Sequence, residues 1–262
     1  MAAEHHDLIV RAPEGATTIR KLLLVATIAL LPATASAGST IFTDGTFNLA
    51  GYSISPQFLT GTGTTLSTAQ CPNCGNPSGQ GLQLIGTFPT DPVPAGSIDT
   101  AAEVLINNAF LYTPSTQGAI TSLSASVDKN LLINIALTGA GNTFRPTILQ
   151  DGVYYVASLP GPSLTTGPGG GSTGYNNIAS GLTAADFLSY DISTDTFGTA
   201  HPDFAGDPMR FGLTQIFGVG ITETIEADYD NLSFAINAPE PAALAIFCVG
   251  LLGLVAARRR IV

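Results

Sequence analysis

The sequence predicts an all-β domain, a β-sandwich or jelly roll, set between two export signals. Three observations carry this. Short runs of β-branched and aromatic residues recur about 8–12 residues apart with glycine and proline between them, the spacing of sandwich strands. Only Ala101–Leu111 and Thr183–Leu188 have a composition that a helix would accept, and the second is a turn or two long. The chain holds 29 glycines and 17 prolines but is only 11% charged. Turns are therefore available throughout, while helices with a charged outer face are not. No repeat of 20–50 residues is visible.

The elements follow in order. Ile41–Ile54, IFTDGTFNLAGYSI, opens the domain as a strand with an Asp44-Gly45 turn. Leu123, Ala125 and Val127 alternate with serines, the period of a half-buried strand. Leu131–Leu137, LLINIAL, is a short apolar run of strand length. Thr147–Leu149 and Val153–Val156 flank Gln150-Asp151-Gly152, where Asp-Gly predicts a tight hairpin. In Pro160–Asn177, six of 18 residues are glycine and three are proline, which predicts a long loop between strands. Phe211–Ile221 and Tyr229–Ile236 read as the closing strands.

Both ends carry targeting patterns. Arg20-Lys21 precedes the apolar run Leu22–Leu31, which Pro32 ends. Ala35-Ser36-Ala37 then supplies the small-x-small pattern of a signal-peptidase site, so cleavage leaves Gly38 as the new N-terminus. Glu4, Asp7 and Glu14 make the region before this run long and unusually acidic for a leader. At the other end Pro239-Glu240-Pro241 is followed by the uncharged block 242–257 and by Arg258-Arg259-Arg260. As a helix that block would be about 24 Å long at ~1.5 Å per residue. It is short for a ~30 Å hydrocarbon core and spans with help from flanking residues. The arginines keep its end cytoplasmic, so everything before Pro239 faces outward. Ala238 and Glu240 each precede a proline and are pushed towards extended backbone.

This tail resembles the PEP-CTERM sorting signal of Gram-negative bacteria, in which a Pro-Glu-Pro motif, a short apolar helix and a basic cluster follow in that order. The resemblance implies an exosortase-type processing enzyme as partner, beside signal peptidase. It also implies transient membrane anchoring, delivery to the cell surface or beyond, and an association with exopolysaccharide. The division expected is a signal peptide over 1–37, an ectodomain over 38–236 and the sorting signal over 237–262. The ectodomain resembles concanavalin A-like and laminin-G-like jelly rolls in its opening strand, its Cys74–Leu82 segment CGNPSGQGL and its closing strand DYDNLSFAI. That resemblance implies a fold shared by glycan binders, structural modules and some glycosidases, without choosing among them.

Composition excludes one partner class. Between Gly38 and Ala238 there are twelve Asp and three Glu against two Arg and one Lys, a net charge of −12. Phosphate binding needs clustered cations, so nucleic acid is not a partner.

Candidate chemistry is sparse. Cys71-Pro-Asn-Cys74 is expected to form a local disulfide after export. Zinc would need four ligands where two thiols stand, and a thioredoxin-type site would need a helix that Gly75-Asn-Pro77 precludes. Gly170-Gly-Ser172-Thr-Gly174 matches a nucleophile elbow in letters only, since no strand and helix flank it. His201 is the only histidine outside the leader. Glu223 and Glu226, three apart on a strand, fall on opposite faces and do not make a glycosidase pair. Asp44, with either Asp228 or Asp230, is a candidate calcium-ligand pair if the terminal strands pair, with a plain turn and strand end as the alternative. There is no tryptophan for a sugar platform, although Tyr154-Tyr155 alternates across a strand and one ring would face out. The expected function is that of a non-enzymatic cell-surface or extracellular-matrix protein. A lectin-like glycan-binding module is the alternative and a polysaccharide hydrolase the third.

Overall fold

A computed structural model describes residues 37–91, 95–133, 140–158 and 174–239, all within the compact unit that spans 36–240. These residues form two antiparallel sheets packed face to face. The first contains β1 (Ala37–Asp44), β4 (Thr65–Cys71), β5 (Gly81–Phe88), β7 (Ser122–Ile133), β10 (Gly174–Leu182) and β14 (Glu223–Pro239). Its order is β10-β7-β14-β5-β4, with β1 also on β14. The second contains β2 (Tyr52–Ile54), β3 (Phe58–Leu59), β6 (Asp99–Tyr112), β8 (Ala140–Gln150), β9 (Val153–Ala157), β11 (Phe187–Asp191), β12 (Thr196–Phe197) and β13 (Met209–Val219). Its order is β12-β11-β9-β8-β13-β6-β2, with β3 also on β6. One short helix, α1 (Pro114–Gln117), lies between β6 and β7. The all-β sandwich expected from strand spacing is the fold found.

β14 organises the first sheet. β7 runs along one side of it from Ile225 to Asn237. Its other side is shared end to end, with β5 from Glu223 to Tyr229 and β1 from Leu232 to Pro239. A seventeen-residue strand cannot keep one period without penalty, and this one does not. Ile225, Ala227 and Tyr229 face the core, and so do Leu232, Phe234 and Ile236, which have the other parity. The switch is a bulge between Asp230 and Ser233. There Asn231 takes φ +52°, a left-handed conformation that Asn tolerates better than most residues.

The core lies between the sheets. Leu82, Leu84, Leu123 and Val127 meet Leu105, Phe144, Ile148, Leu213 and Phe217, all fully or nearly fully buried. At one end Phe234 packs on Phe211 with ring centroids 5.3 Å apart, and Phe110 stacks on Phe42 at 5.3 Å. The same interior holds polar groups. Glu103 accepts from Thr68 and from Gln57 Nε2, and burial raises its carboxyl above the usual range. Tyr229 donates to Gln215 across the sheets. Lys129 is 1% exposed, and burial pulls its ammonium down to about 8.

Two expectations change. Ala101–Leu111 is the middle of β6, not a helix. Ala101 and Leu105 face the main core, while Ala102, Val104 and Ile106 belong to a second apolar cluster on the other face. A strand buried on both faces loses its alternation and reads like a buried helix. Within Thr183–Leu188 only Ala184–Asp186 is a 3-10 turn, closed by a capping box of Thr183 and Asp186, and Phe187 already starts β11. The Asp151-Gly152 hairpin forms as expected between β8 and β9, with φ of +52° and +78° at the two turn residues.

Candidate functional sites

The export signals meet the fold at one point. β1 starts at Ala37, the last residue of the expected leader, and β14 ends at Pro239, the first proline of the motif. The two are registered opposite each other, followed by Gly38 with Ala238 and Ser39 with Asn237. The other side of β14 is held as firmly here. Thr121 donates through N and Oγ1 to Asn237 O at 2.8 and 2.9 Å, and Asn237 Nδ2 donates to Ser122 Oγ at 3.2 Å. Gly118 lies so close to the Pro239 carbonyl that a Cβ would overlap it. Ala238 is extended, as its proline neighbour requires. The sandwich therefore runs to Pro239, three residues past the expected boundary at 236. Ala35, Glu240, Pro241, the span 242–257 and Arg258, Arg259 and Arg260 lie outside the described residues. Among the described residues no helix is long and apolar enough to cross a membrane.

A polar corner forms at the β14 bulge. Cys71 ends β4, and the loop that follows carries Cys74 and is hooked to the sheet by Asn76. Its N–H donates to Asp230 Oδ2 at 2.6 Å, and its Nδ2 to Asp128 Oδ2 at 3.0 Å. Asn231 Nδ2 donates back to Asn76 O at 2.6 Å and to Asp128 Oδ2 at 2.8 Å. Gly75 has no room for a side chain, because a Cβ would sit 2.8 Å from Gln80 O and 2.9 Å from Asp230 Oδ2. In this structure the two cysteines are separate thiols, with Cys74 Sγ donating to Cys71 O at 3.7 Å. Burial, then the neighbouring Cys71 and Asp228, push the Cys74 thiol up to about 12, so it stays protonated. A protonated thiol is a poor nucleophile.

Asp44 and Asp230 are held by different donors. Asp44 Oδ1 accepts from Thr46 N, Thr46 Oγ1 and Phe47 N, and its Oδ2 accepts from Tyr52 OH at 2.8 Å and Asn107 Nδ2 at 3.1 Å. Asp230 is engaged by Asn76 N and by its neighbour Asn231 N. Both behave as hydrogen-bond acceptors of the turn and the bulge. Among the described residues no group of three or more His, Cys, Asp or Glu side chains could hold a metal ion.

Asp228, between these features, is the residue that the sequence offered in place of Asp230 as the second calcium ligand. It is 5% exposed and its Oδ1 has no hydrogen-bond partner. Burial, then Glu226, push its carboxyl up to about 6. A raised folded-state value means that the folded protein holds this proton more tightly than the unfolded chain. The stability so contributed is complete below about pH 4 and is lost as pH rises through about 6. Asp228→Asn is expected to melt higher than the parent at pH 7.5, with the difference shrinking at pH 4.5. Melting curves at the two values check this, and an equal difference at both would contradict it.

The remaining candidates do not converge. His201 Nδ1 lies 2.7 Å from Phe187 O, and Ser172 falls outside the described residues. Glu226 accepts from Gln83 Nε2 at 2.6 Å and half-faces solvent, whereas Glu223 is 5% exposed and accepts from Thr224 N. Tyr155 packs on the main core and Tyr154 on the outer cluster of the second sheet, so the two rings do split across the sheet.

Residues 237–260 match the PEP-CTERM protein-sorting motif. The chain thus carries the signal of proteins that are exported and handed to an exosortase-type enzyme. Two solved structures of a family 11 carbohydrate-binding module of Clostridium thermocellum are similar in fold. One, in complex with a β-1,3-1,4-mixed-linked tetrasaccharide, is 12% identical, with 79% of this chain and 99% of that one covered and a TM-score of 0.39. The other, from the cellulosomal cellulase Lic26A-Cel5E, is 12% identical, with 76% and 95% covered and a TM-score of 0.38. At such scores the likeness says nothing of ligand or site. No curated protein matches the chain.

Proposed function

We propose that this protein is a non-enzymatic component of the cell surface or extracellular matrix, delivered by an exosortase-type system in bacteria that make exopolysaccharide. Signal peptidase removes the leader after Ala37, and the exosortase-type enzyme then acts beyond Pro239. The observation that carries this reading is the junction itself. The sorting motif starts within the last residues of the strand that organises the first sheet, directly opposite the leader site. A β-sandwich closed up to both processing points is a finished domain, and the segments outside it serve delivery. The non-enzymatic reading is supported by the scattered carboxylates and by the engaged His201 described above. A glycan-binding role is the second reading. It is favoured by a cleft lined with hydroxyls and carboxylates at the end of β14 away from Pro239. Surface labelling of intact cells tests the proposal. The protein is expected to be accessible in cells that have the processing enzyme and to stay in the inner membrane in cells that lack it. Equal distribution in both would refute it.

A further inference from the structure

At the end of the sandwich where β14 begins, three connections meet. They are the β3–β4 turn at Thr60–Thr62, the ends of the β5–β6 connection at Thr90–Asp91 and Ser97–Asp99, and the β13–β14 turn. The first two line a cleft of about 590 Å³. That size is within the ~300–1,000 Å³ of small-molecule sites. From here to Pro239, β14 covers seventeen residues, roughly 55 Å at ~3.3 Å per residue. The cleft thus occupies the pole opposite the sorting junction.

Asp99 is its centre. On β6 it continues the inward row of Leu105, Glu103 and Ala101, so its carboxylate sits at the open end of the space between the sheets. It is 8% exposed, and the surface that it keeps opens into the cleft. A carboxylate so nearly buried needs hydrogen-bond donors, and the cleft is the side from which a ligand can supply them. Gly61 makes room for it. With φ +86° and no side chain, it lets the carboxylate lie against its backbone, where any Cβ would overlap Asp99 Oδ2. The surroundings are shaped by the fold. Thr60 Oγ1 accepts from Thr100 N at 2.7 Å, which leaves its own proton free to donate. Asp91 Oδ1 accepts from Thr222 N and Oγ1, and these bonds hold its carboxyl below the usual range, so Asp91 is ionised. Ile98, 64% exposed, stands at the rim.

We propose that this cleft binds a neutral sugar residue of a polysaccharide, with adjacent ring hydroxyls donating to the Asp99 carboxylate and the apolar face of the ring resting on Ile98. This deepens the glycan-binding reading and rests on it. The chemistry selects the ligand class. Two carboxylates, with no Lys or Arg among the described lining residues, repel uronate, sulfate and phosphate. A carboxylate that opens into a cleft is matched by a pair of neighbouring O–H donors.

The test is calorimetric titration of the full chain, purified in a detergent without a sugar headgroup. The probes are neutral oligosaccharides of glucose, mannose and galactose, an oligouronate, and calcium chloride alone. At least one neutral oligosaccharide is expected to bind saturably and the oligouronate not at all. Asp99→Asn is expected to weaken binding at least tenfold without lowering the melting temperature. Ile98→Arg, at an exposed position the fold tolerates, should weaken it likewise and carries the test if Asp99→Asn does not fold. Unchanged sugar binding in Ile98→Arg and in a folded Asp99→Asn overturns this site while leaving a glycan-binding role elsewhere on the domain. Failure of every neutral sugar overturns both. Binding of the oligouronate, or of calcium alone at Asp99, overturns the assignment of ligand class.

Discussion

Replacing Pro239, Glu240 and Pro241 by alanines is expected to leave export intact and to stop C-terminal processing. The fold should survive, because β14 is held up to Asn237 by Thr121 and Ser122 on one side and by β1 on the other, none of which depends on a proline. What changes is the segment offered to the enzyme. Without Pro239 and Pro241, Ala238 and residue 240 lose the bias to extended backbone. The precursor should then keep Arg258–Arg260 and remain in the inner membrane. Fractionation and gel mobility read this directly. A variant of parental size and location would show that the enzyme does not read this motif.

The second large effect is expected in the core. Phe234 is fully buried, tilted against Phe211 and edge-on to Phe110 at 6.2 Å, and registered opposite Phe42 of β1. Phe234→Ala removes a ring that fastens β1, β14 and the second sheet together. Such truncations cost about 3–5 kcal/mol. For a domain of this size that is roughly 10 °C in melting temperature. Thermal unfolding measures it, and a shift of only a degree or two would mean that the aromatic cluster collapses to fill the space. Because β1 starts at the leader site, the loosened strand should also make the N-terminal segment more susceptible to protease.

Local signals were legible in the sequence where local physics decides. Asp151-Gly152 specified its hairpin because few residue pairs accept positive φ twice in succession. The serines between Leu123, Ala125 and Val127 marked β7 as covered on one face only. β6 was not legible as a strand, since burial on both faces erased its alternation. The bulge at Asn231 was hidden for a related reason. DYDNLSFAI read as one strand is out of phase with itself, and only the three-dimensional register shows where the extra residue goes. The sorting tail was readable because its three parts are contiguous. That Ala37 faces Pro239 was not, because two residues 202 positions apart are brought together by the closure of the whole sheet. Asp99 was missed, and Asp228 was read only as a candidate calcium ligand, because the burial of a carboxylate is a property of the packed structure.

The most direct measurement is the intact mass of the protein taken from the cell surface. A chain that begins at Gly38, retains the sandwich through Pro239 and lacks Arg258–Arg260 is the expected result. A surface form that still carries Arg258–Arg260, or one cut within Glu223–Ala238 inside the central strand, would contradict a finished domain released at the end of β14.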